Sequence, residues 1–285
     1  MPGPIPIFDE KRVRQRLASA ISAPGFPGFL HEHAAGEILS RLALSQQRFA
    51  LALAHGTRPG LLLQDGMHTL RAATVLTSDA DLVVAADAVP VKAESLDCLL
   101  LLFGPETVND LAGLFAGIRR SLRPDGLFLG AALAGETLRE LRDAWSLAEA
   151  ELTGGATPRV APFAGLRDLG NLMLRTGLSL PVVDSERLVV RYADPLALMR
   201  ELKRLGWSNM LVERTRRGLS RHLLARVVEL YLDRFADADG RIRATFEIAY
   251  LTAFAPHPDQ PRPLKPGSAR FRLADALRPE KGNRQ

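Results

Sequence analysis

Residues 97–134 read DCLLLLFGPETVNDLAGLFAGIRRSLRPDGLFLGAALA, and the order of patterns inside them decides the fold. Residues 97–103 are almost continuously apolar after the aspartate, as expected of a strand covered on both faces. Asn109-Asp110 then offers an N-cap, and Leu111, Leu114, Phe115, Ile118 and Leu122 recur along one helical face. An Arg-Pro-Asp-Gly turn at 123–126 ends that helix, and a second covered strand follows at 127–134. Strand, helix and strand in this order predict a right-handed crossover between parallel strands in a doubly wound sheet.

Working outward, apolar runs at 49–54, about 73–77 and 82–85 supply further strands on the N-terminal side. Before them lie a basic helix over 9–20, carrying Lys11, Arg12, Arg14 and Arg16, and a second helix over Phe29 to Leu44. Pro24, Gly25, Pro27 and Gly28 separate the two. On the C-terminal side helices are predicted at about 137–151 and 165–176, and a β-rich run at 180–192. Helices near 195–205 and 220–235 follow, the latter with Ser220 as N-cap, and then a last strand at 245–255. The expected architecture is α/β: a Rossmann-like, mostly parallel sheet with N-terminal helices and a helical insertion before the last strand. The expected boundaries are a helical segment at 1–48, the main domain at 49–255 with its insertion at about 193–238, and a Pro/Arg-rich tail at 256–285.

A chain of 285 residues with 47% hydrophobic and 24% charged content can bury a large core. Its formal charge of +5 favours acidic partners, but an Arg-rich composition accounts for the charge and no specific nucleic-acid binding is expected. Cys98 is the only cysteine, which excludes an intrachain disulfide and a thiolate zinc cluster and fits a reducing compartment. The first twenty residues, MPGPIPIFDEKRVRQRLASA, contain no apolar core of a secretory signal or membrane span. The expectation is a soluble cytoplasmic protein, with peripheral contact to an inner membrane left open.

Several stretches together carry a family resemblance: IFDEKRVRQR at 7–16, VNDLAGLFAGIRRSLRPDGLFLGA at 108–131 and GETLRELRDAWSLAEAE at 135–151. It continues in TPRVAPFAGLRDLGNLMLRTGL at 157–178, LMRELKRLGWSN at 198–209 and DGRIRATFEIAYLTAF at 239–254. In these the chain resembles the class I S-adenosylmethionine-dependent methyltransferases. Within them it is similar to the respiratory complex I assembly factor 5 (arginine hydroxylase) family, close to the biotin-synthesis methyltransferases.

The resemblance implies a cofactor crevice at the carboxyl end of the sheet, and there the sequence departs from the pattern. The family's first motif, A-L-D-x-G-C-G-x-G, aligns with residues 52–60, so its outer glycines match Gly56 and Gly60. Ala54 stands where the strand-end aspartate belongs, His55 lies in the loop, and Arg58 replaces the central glycine. Arg58 either crowds the ligand's place or swings into solvent, and Pro59 removes an N–H donor beside it. The acid that would take the ribose hydroxyls is replaced by the run AATVLTSDA, leaving Asp79 nearby. Only TSDAD separates that run from the third strand. The adenine-side aspartate position is Ala85, with Asp87 two residues on. The fourth strand exits as FGPETVND, with Glu106 and Thr107 where relatives carry His-Trp.

The implied cofactor-binding set is therefore Ala54, His55, Gly56, Gly60, Asp79, Asp87 and Glu106, and S-adenosylmethionine is expected to bind weakly or not at all. Each lost polar contact is worth about 1–3 kcal/mol when its partner is left unpaired. Two functions follow from the resemblance. One is a partner-binding protein acting in respiratory complex assembly, its partner a protein such as a complex I subunit. The other is an active methyltransferase or arginine hydroxylase on a protein substrate.

Other residues are read more plainly. His31 and His33, two apart on a helix, point to different faces and are expected on its surface without a shared metal. Glu106 is either a solvated turn residue or a base at the ligand mouth, and Cys98 an inert core thiol. Arg214, Arg216, Arg217 and Arg221 form a solvated turn or a face for an acidic partner. Glu136, Thr137, Arg142, Asp168 and Arg175 are capping or ion-pairing residues unless they position a protein substrate.

Overall fold

The computed structural model describes residues 5–63, 67–73, 81–85, 88–216 and 218–260. Its strands are β1 (Leu51–Gly56), β2 (His68–Ala73), β3 (Leu82–Val83), β4 (Leu96–Leu102), β5 (Leu122–Leu133), β6 (Ser179–Tyr192) and β7 (Ile242–Phe254). They form one sheet in the order β3-β2-β1-β4-β5-β7-β6. The first five positions of that order are parallel, and β7 runs antiparallel to both β5 and β6. The order reverses between β1 and β4, the place where open α/β sheets bind ligands beyond the strand ends.

The apolar run at the centre explains both layers. Cys98, Leu100 and Leu102 of β4 face one core cluster, while Leu99 and Leu101 face the other. The first face is covered by α2 (Phe29–Ala43), α4 (Arg139–Thr153), α6 (Pro195–Arg204) and α7 (Arg221–Phe235). The second is covered by α3 (Leu111–Ser121) and α5 (Leu166–Arg175). The basic helix α1 (Glu10–Ile21) joins neither; its Val13 and Leu17 pack with Phe8, Met210 and Leu211 in a smaller cluster. Caps fix the starts of the helices: Asp110 accepts from Gly113 N–H at 2.8 Å and Ser220 from Leu223 N–H at 3.1 Å.

Two local expectations are corrected. The second strand begins earlier than the expected 73–77, at His68, and is described as far as Ala73; residues 74–80 lie outside the described ones. Between β1 and β2 the described residues form a 3-10 turn, Pro59–Leu62, and no α-helix. The connection from 57 to 67 is too short for the crossover helix that normally joins parallel strands, and Pro59 fixes the tight start. The Arg-Pro-Asp-Gly turn survives inside β5: Leu96 pairs with Leu122 but Cys98 with Leu127, so the turn is extruded as a bulge, with Asp125 at φ 61°. Among the described residues no helix is long and apolar enough to cross a membrane.

Candidate functional site

The switch point is formed by the exits of β1 and β4. Gly56 ends β1 at φ +124°, and a methyl group on its Cα would stand 2.1 Å from the Leu102 carbonyl oxygen. Only glycine fits that backbone and that approach. The next residue, Thr57, donates its N–H to the same Leu102 oxygen at 3.0 Å, so the loop continues the sheet before it turns. Ala54, His55, Gly56 and Thr57 are all buried. Arg58 is half-buried with its guanidinium carbon 5.4 Å from the centre of the Phe26 ring, and Gly60 is half-buried on the 3-10 turn. His55 places Nε2 3.0 Å from the Ala88 carbonyl oxygen, and burial lowers its pKa. Ala85 is exposed, and Asp79 and Asp87 lie outside the described residues.

Against this loop stands an aromatic cluster. The His31 ring meets Phe103, the residue after β4, at 4.9 Å, Phe26 at 5.1 Å and Trp207 at 5.8 Å. His31 is fully buried rather than on the helix surface, and neither ring nitrogen has a hydrogen-bond partner. Burial, with the Arg58 charge second, pushes its pKa down to about 3, which keeps the ring neutral. The signal was present in the sequence: position 31 lies on the same stripe as Ala34, Ala35, Ile38 and Leu42. His33 does reach the surface and pairs with Glu186 at 2.7 Å.

Glu106 is the second departure from expectation. It sits in a 3-10 turn, Pro105–Thr107, directly after the left-handed Gly104 (φ +117°). Its Oε1 accepts from Gly104 N–H at 2.9 Å, whereas Oε2 is shut off from solvent without a hydrogen-bond partner. Burial pushes its pKa up to about 7, with the surrounding backbone amides opposing part of that rise. Glu106 is thus not a solvated turn residue. It forms part of the wall of an inner cavity of about 70 Å³ and of an outer cleft of about 290 Å³. The inner cavity is chiefly apolar, lined by Phe8, Leu133, Leu138, Leu141, Phe163 and Trp207. A half-buried carboxyl group whose Oε2 is shut off from solvent beside an apolar cavity can take a proton, accept a hydrogen bond or pair with a cation.

The N-terminal strap roofs this cavity. Asn109, expected to share in capping α3, instead accepts Ile7 N–H at 2.9 Å and Phe8 N–H at 2.8 Å and donates to Phe8 O at 3.0 Å. Arg214 is tied to Asp9 at 3.0 Å instead of standing free, Arg216 and Arg221 are exposed, and Arg217 lies outside the described residues. Thr137 and Glu136 tie to the interior strand β7: the Thr137 hydroxyl donates to Glu247 O at 3.1 Å, and Glu136 N–H donates to the Glu247 carboxylate at 2.8 Å. Arg142 donates to Thr137 O at 3.2 Å. Cys98 is fully buried, and burial drives its thiol pKa upward, so it is inert. Among the described residues no cluster of His, Cys, Asp or Glu could hold a metal ion.

This strand order, with β7 reversed and a glycine turn leaving β1, defines the chain as a class I S-adenosylmethionine-dependent methyltransferase by fold. The YcgJ protein of Bacillus subtilis superposes with a TM-score of 0.51 at 11% identity, covering 79% of this chain and 99% of its own, a likeness of fold alone. Arginine-hydroxylase NDUFAF5, mitochondrial, of Rattus norvegicus is 30% identical over 295 residues, covering 97% of this chain and 85% of its own length. The chain belongs to this NDUFAF5 arginine-hydroxylase family. Its Dictyostelium discoideum member is 37% identical over 186 residues, and there the match spans only 42% of the relative's length and 65% of this chain. Malonyl-[acyl-carrier protein] O-methyltransferase of Halorhodospira halophila is 38% identical over 169 residues, 59% of this chain and 55% of that protein. No protein-family model matches the chain.

Proposed function

We propose that this protein engages a partner protein during assembly of a respiratory complex, in a reducing compartment, and that it has little or no affinity for S-adenosylmethionine. The observation that carries the second part is the closed exit of β1. The Thr57 amide is spent on Leu102, Arg58 occupies the position of a glycine, Pro59 has no N–H, and a 3-10 turn stands where a helix would present its positive end. These described residues do not fit the cofactor's methionine end. No reaction step is therefore derived through it.

The other reading is an enzyme acting on a protein arginine, supported by the 30% and 37% identity to proteins named arginine hydroxylases and by the half-buried Glu106 beside a cavity. Titration calorimetry with S-adenosylmethionine separates the two. The proposal expects no binding at micromolar concentration; micromolar binding abolished by a bulky substitution at Gly56 would restore the enzyme. Co-purification from native membranes and cytosol, followed by mass spectrometry of the partner, identifies what it holds and whether an arginine has gained an oxygen.

A further inference from the structure

The sheet ends on β6, which is hydrogen-bonded to β7 along one side only. Among the described residues no backbone group of another element bonds to its other side. Pro181 and the register shift between Ser179 and Val182 blunt the first residues of this edge. From Val182 to Tyr192 the pairing with β7 is regular, so the outward N–H and C=O groups form an open ladder. The middle of that stretch is apolar on both faces, with Leu188 and Val190 on one and Val189, 53% exposed, on the other.

The charges of β6 decide what can pair with it. A second copy laid antiparallel about a two-fold axis normal to the sheet sets opposite residues on the same face, so the axis must fall beside one residue, which then faces its own copy. Axes at Asp184, Glu186 and Arg187 oppose each of those charges to itself. An axis at Ser185 opposes Asp184 to Glu186, and one at Val189 opposes Arg187 to Arg191. At Val183 the ladder takes in Pro181, which has no N–H to give, and at Val190 it spans only 188–192. The axis at Leu188 has none of these faults: Arg187 meets Val189, Glu186 meets Val190, Ser185 meets Arg191 and Asp184 meets Tyr192. Both acids are already held by α2, Asp184 by Arg41 and Glu186 by His33, each at 2.7 Å.

We propose that β6 is the interface of a homodimer, in which it pairs antiparallel with β6 of a second copy about an axis at Leu188 and joins the two sheets into one. The apolar segment Leu188–Val190 forms the centre of the contact, and the charges at 184, 186, 187 and 191 form its rim and fix its register. The edge lies at the opposite side of the sheet from β1 and β2, so the pairing holds whether or not the chain takes up S-adenosylmethionine.

Sedimentation equilibrium of the full chain is expected to show a dimer at micromolar concentration. Val189→Arg sets a cation opposite Arg187 of the second copy at two symmetry-related points, and is expected to raise the dissociation constant at least about tenfold. Adding Arg187→Glu turns both contacts into ion pairs and is expected to restore the dimer. Leu188→Cys is expected to cross-link the two copies on air oxidation, because directly opposed residues lie about 4.5–5.5 Å apart, whereas Ser185→Cys is not. The native Cys98 is buried and does not compete. A wild-type chain that stays monomeric at these concentrations overturns the proposal, whatever else covers the edge. So does a dimer that survives Val189→Arg unchanged, a double variant that stays monomeric, or a cross-link through Ser185→Cys in place of Leu188→Cys. If circular dichroism shows that Val189→Arg fails to fold, the two cysteine variants decide.

Discussion

Gly56 tolerates no side chain, since its φ of +124° and the Leu102 oxygen both exclude one. Gly56→Ala is expected to destabilise the fold by at least about 2 kcal/mol, read as a lowered urea midpoint. His31 teaches the opposite lesson. Its two ring nitrogens are buried and unpartnered, so His31→Phe keeps the aromatic packing and removes a cost. Its folded pKa of about 3 lies below the ordinary 6.5, so the unfolded chain takes up the proton first and stability falls as pH drops from about 6.5 toward 3. The variant is expected to gain most at pH 4.5, measured by denaturation at pH 4.5 and 7.5. Glu106 shifts the other way. Its folded pKa of about 7 exceeds 4.5, so the folded state holds the proton more tightly and stability is lost as pH rises from about 4.5 to 7. Glu106→Gln is expected to gain roughly 1–3 kcal/mol over the wild type at pH 8 and little at pH 4. Of the implied site, Gly56 was legible as a matched glycine of the family's first motif, and Glu106 only as a departure from the family's pattern. The burial of His31 was missed because two histidines two apart suggested a surface pattern, when the helical stripe through Ala34 and Ile38 was the better guide.

The elements themselves were far more legible. Periodicity located the seven α-helices of the described residues to within about two residues, because their apolar stripes and caps at Asp110 and Ser220 are local features. The start of the strand beside β1 was not legible because HTLR at 68–71 alternates weakly and holds a histidine and an arginine, whereas the expected run at 73–77 lies almost wholly outside the described residues. The same blind spot hid the 3-10 turn, since nothing in PGLL distinguishes it from the first turn of a helix. That turn limits what point changes can repair. Arg58→Gly is expected not to create micromolar binding of S-adenosylmethionine, because the missing helix is a matter of chain length between β1 and β2. The strap is a second such element. It is held by three hydrogen bonds to Asn109 and by the bridge from Phe8 to Leu211, and Asn109→Ala removes the three together. Limited proteolysis is expected to cut that variant near residues 5–9 several times faster than the wild type, because local opening governs cleavage.

At the scale of the molecule, the sheet is covered by helices on both faces and its ligand-binding end is packed by the β1 loop, the His31 cluster and the strap. Such a body resists unfolding by its core, and among the described residues the cleft beside Glu106 opens at this end. Linkage turns this into a measurement: a ligand stabilises by RT ln(1 + [L]/Kd). If S-adenosylmethionine bound with a dissociation constant one hundredth of its concentration, the gain would be about 2.7 kcal/mol. For a chain of this size that raises Tm by several degrees, at roughly 2–4 °C per kcal/mol. The expected shift is below 1 °C with millimolar S-adenosylmethionine by scanning calorimetry, equivalent on that scale to less than about 0.5 kcal/mol. A shift of several degrees would mean that the β1 exit opens to admit the cofactor, and that the closed loop is one of two states of an active enzyme.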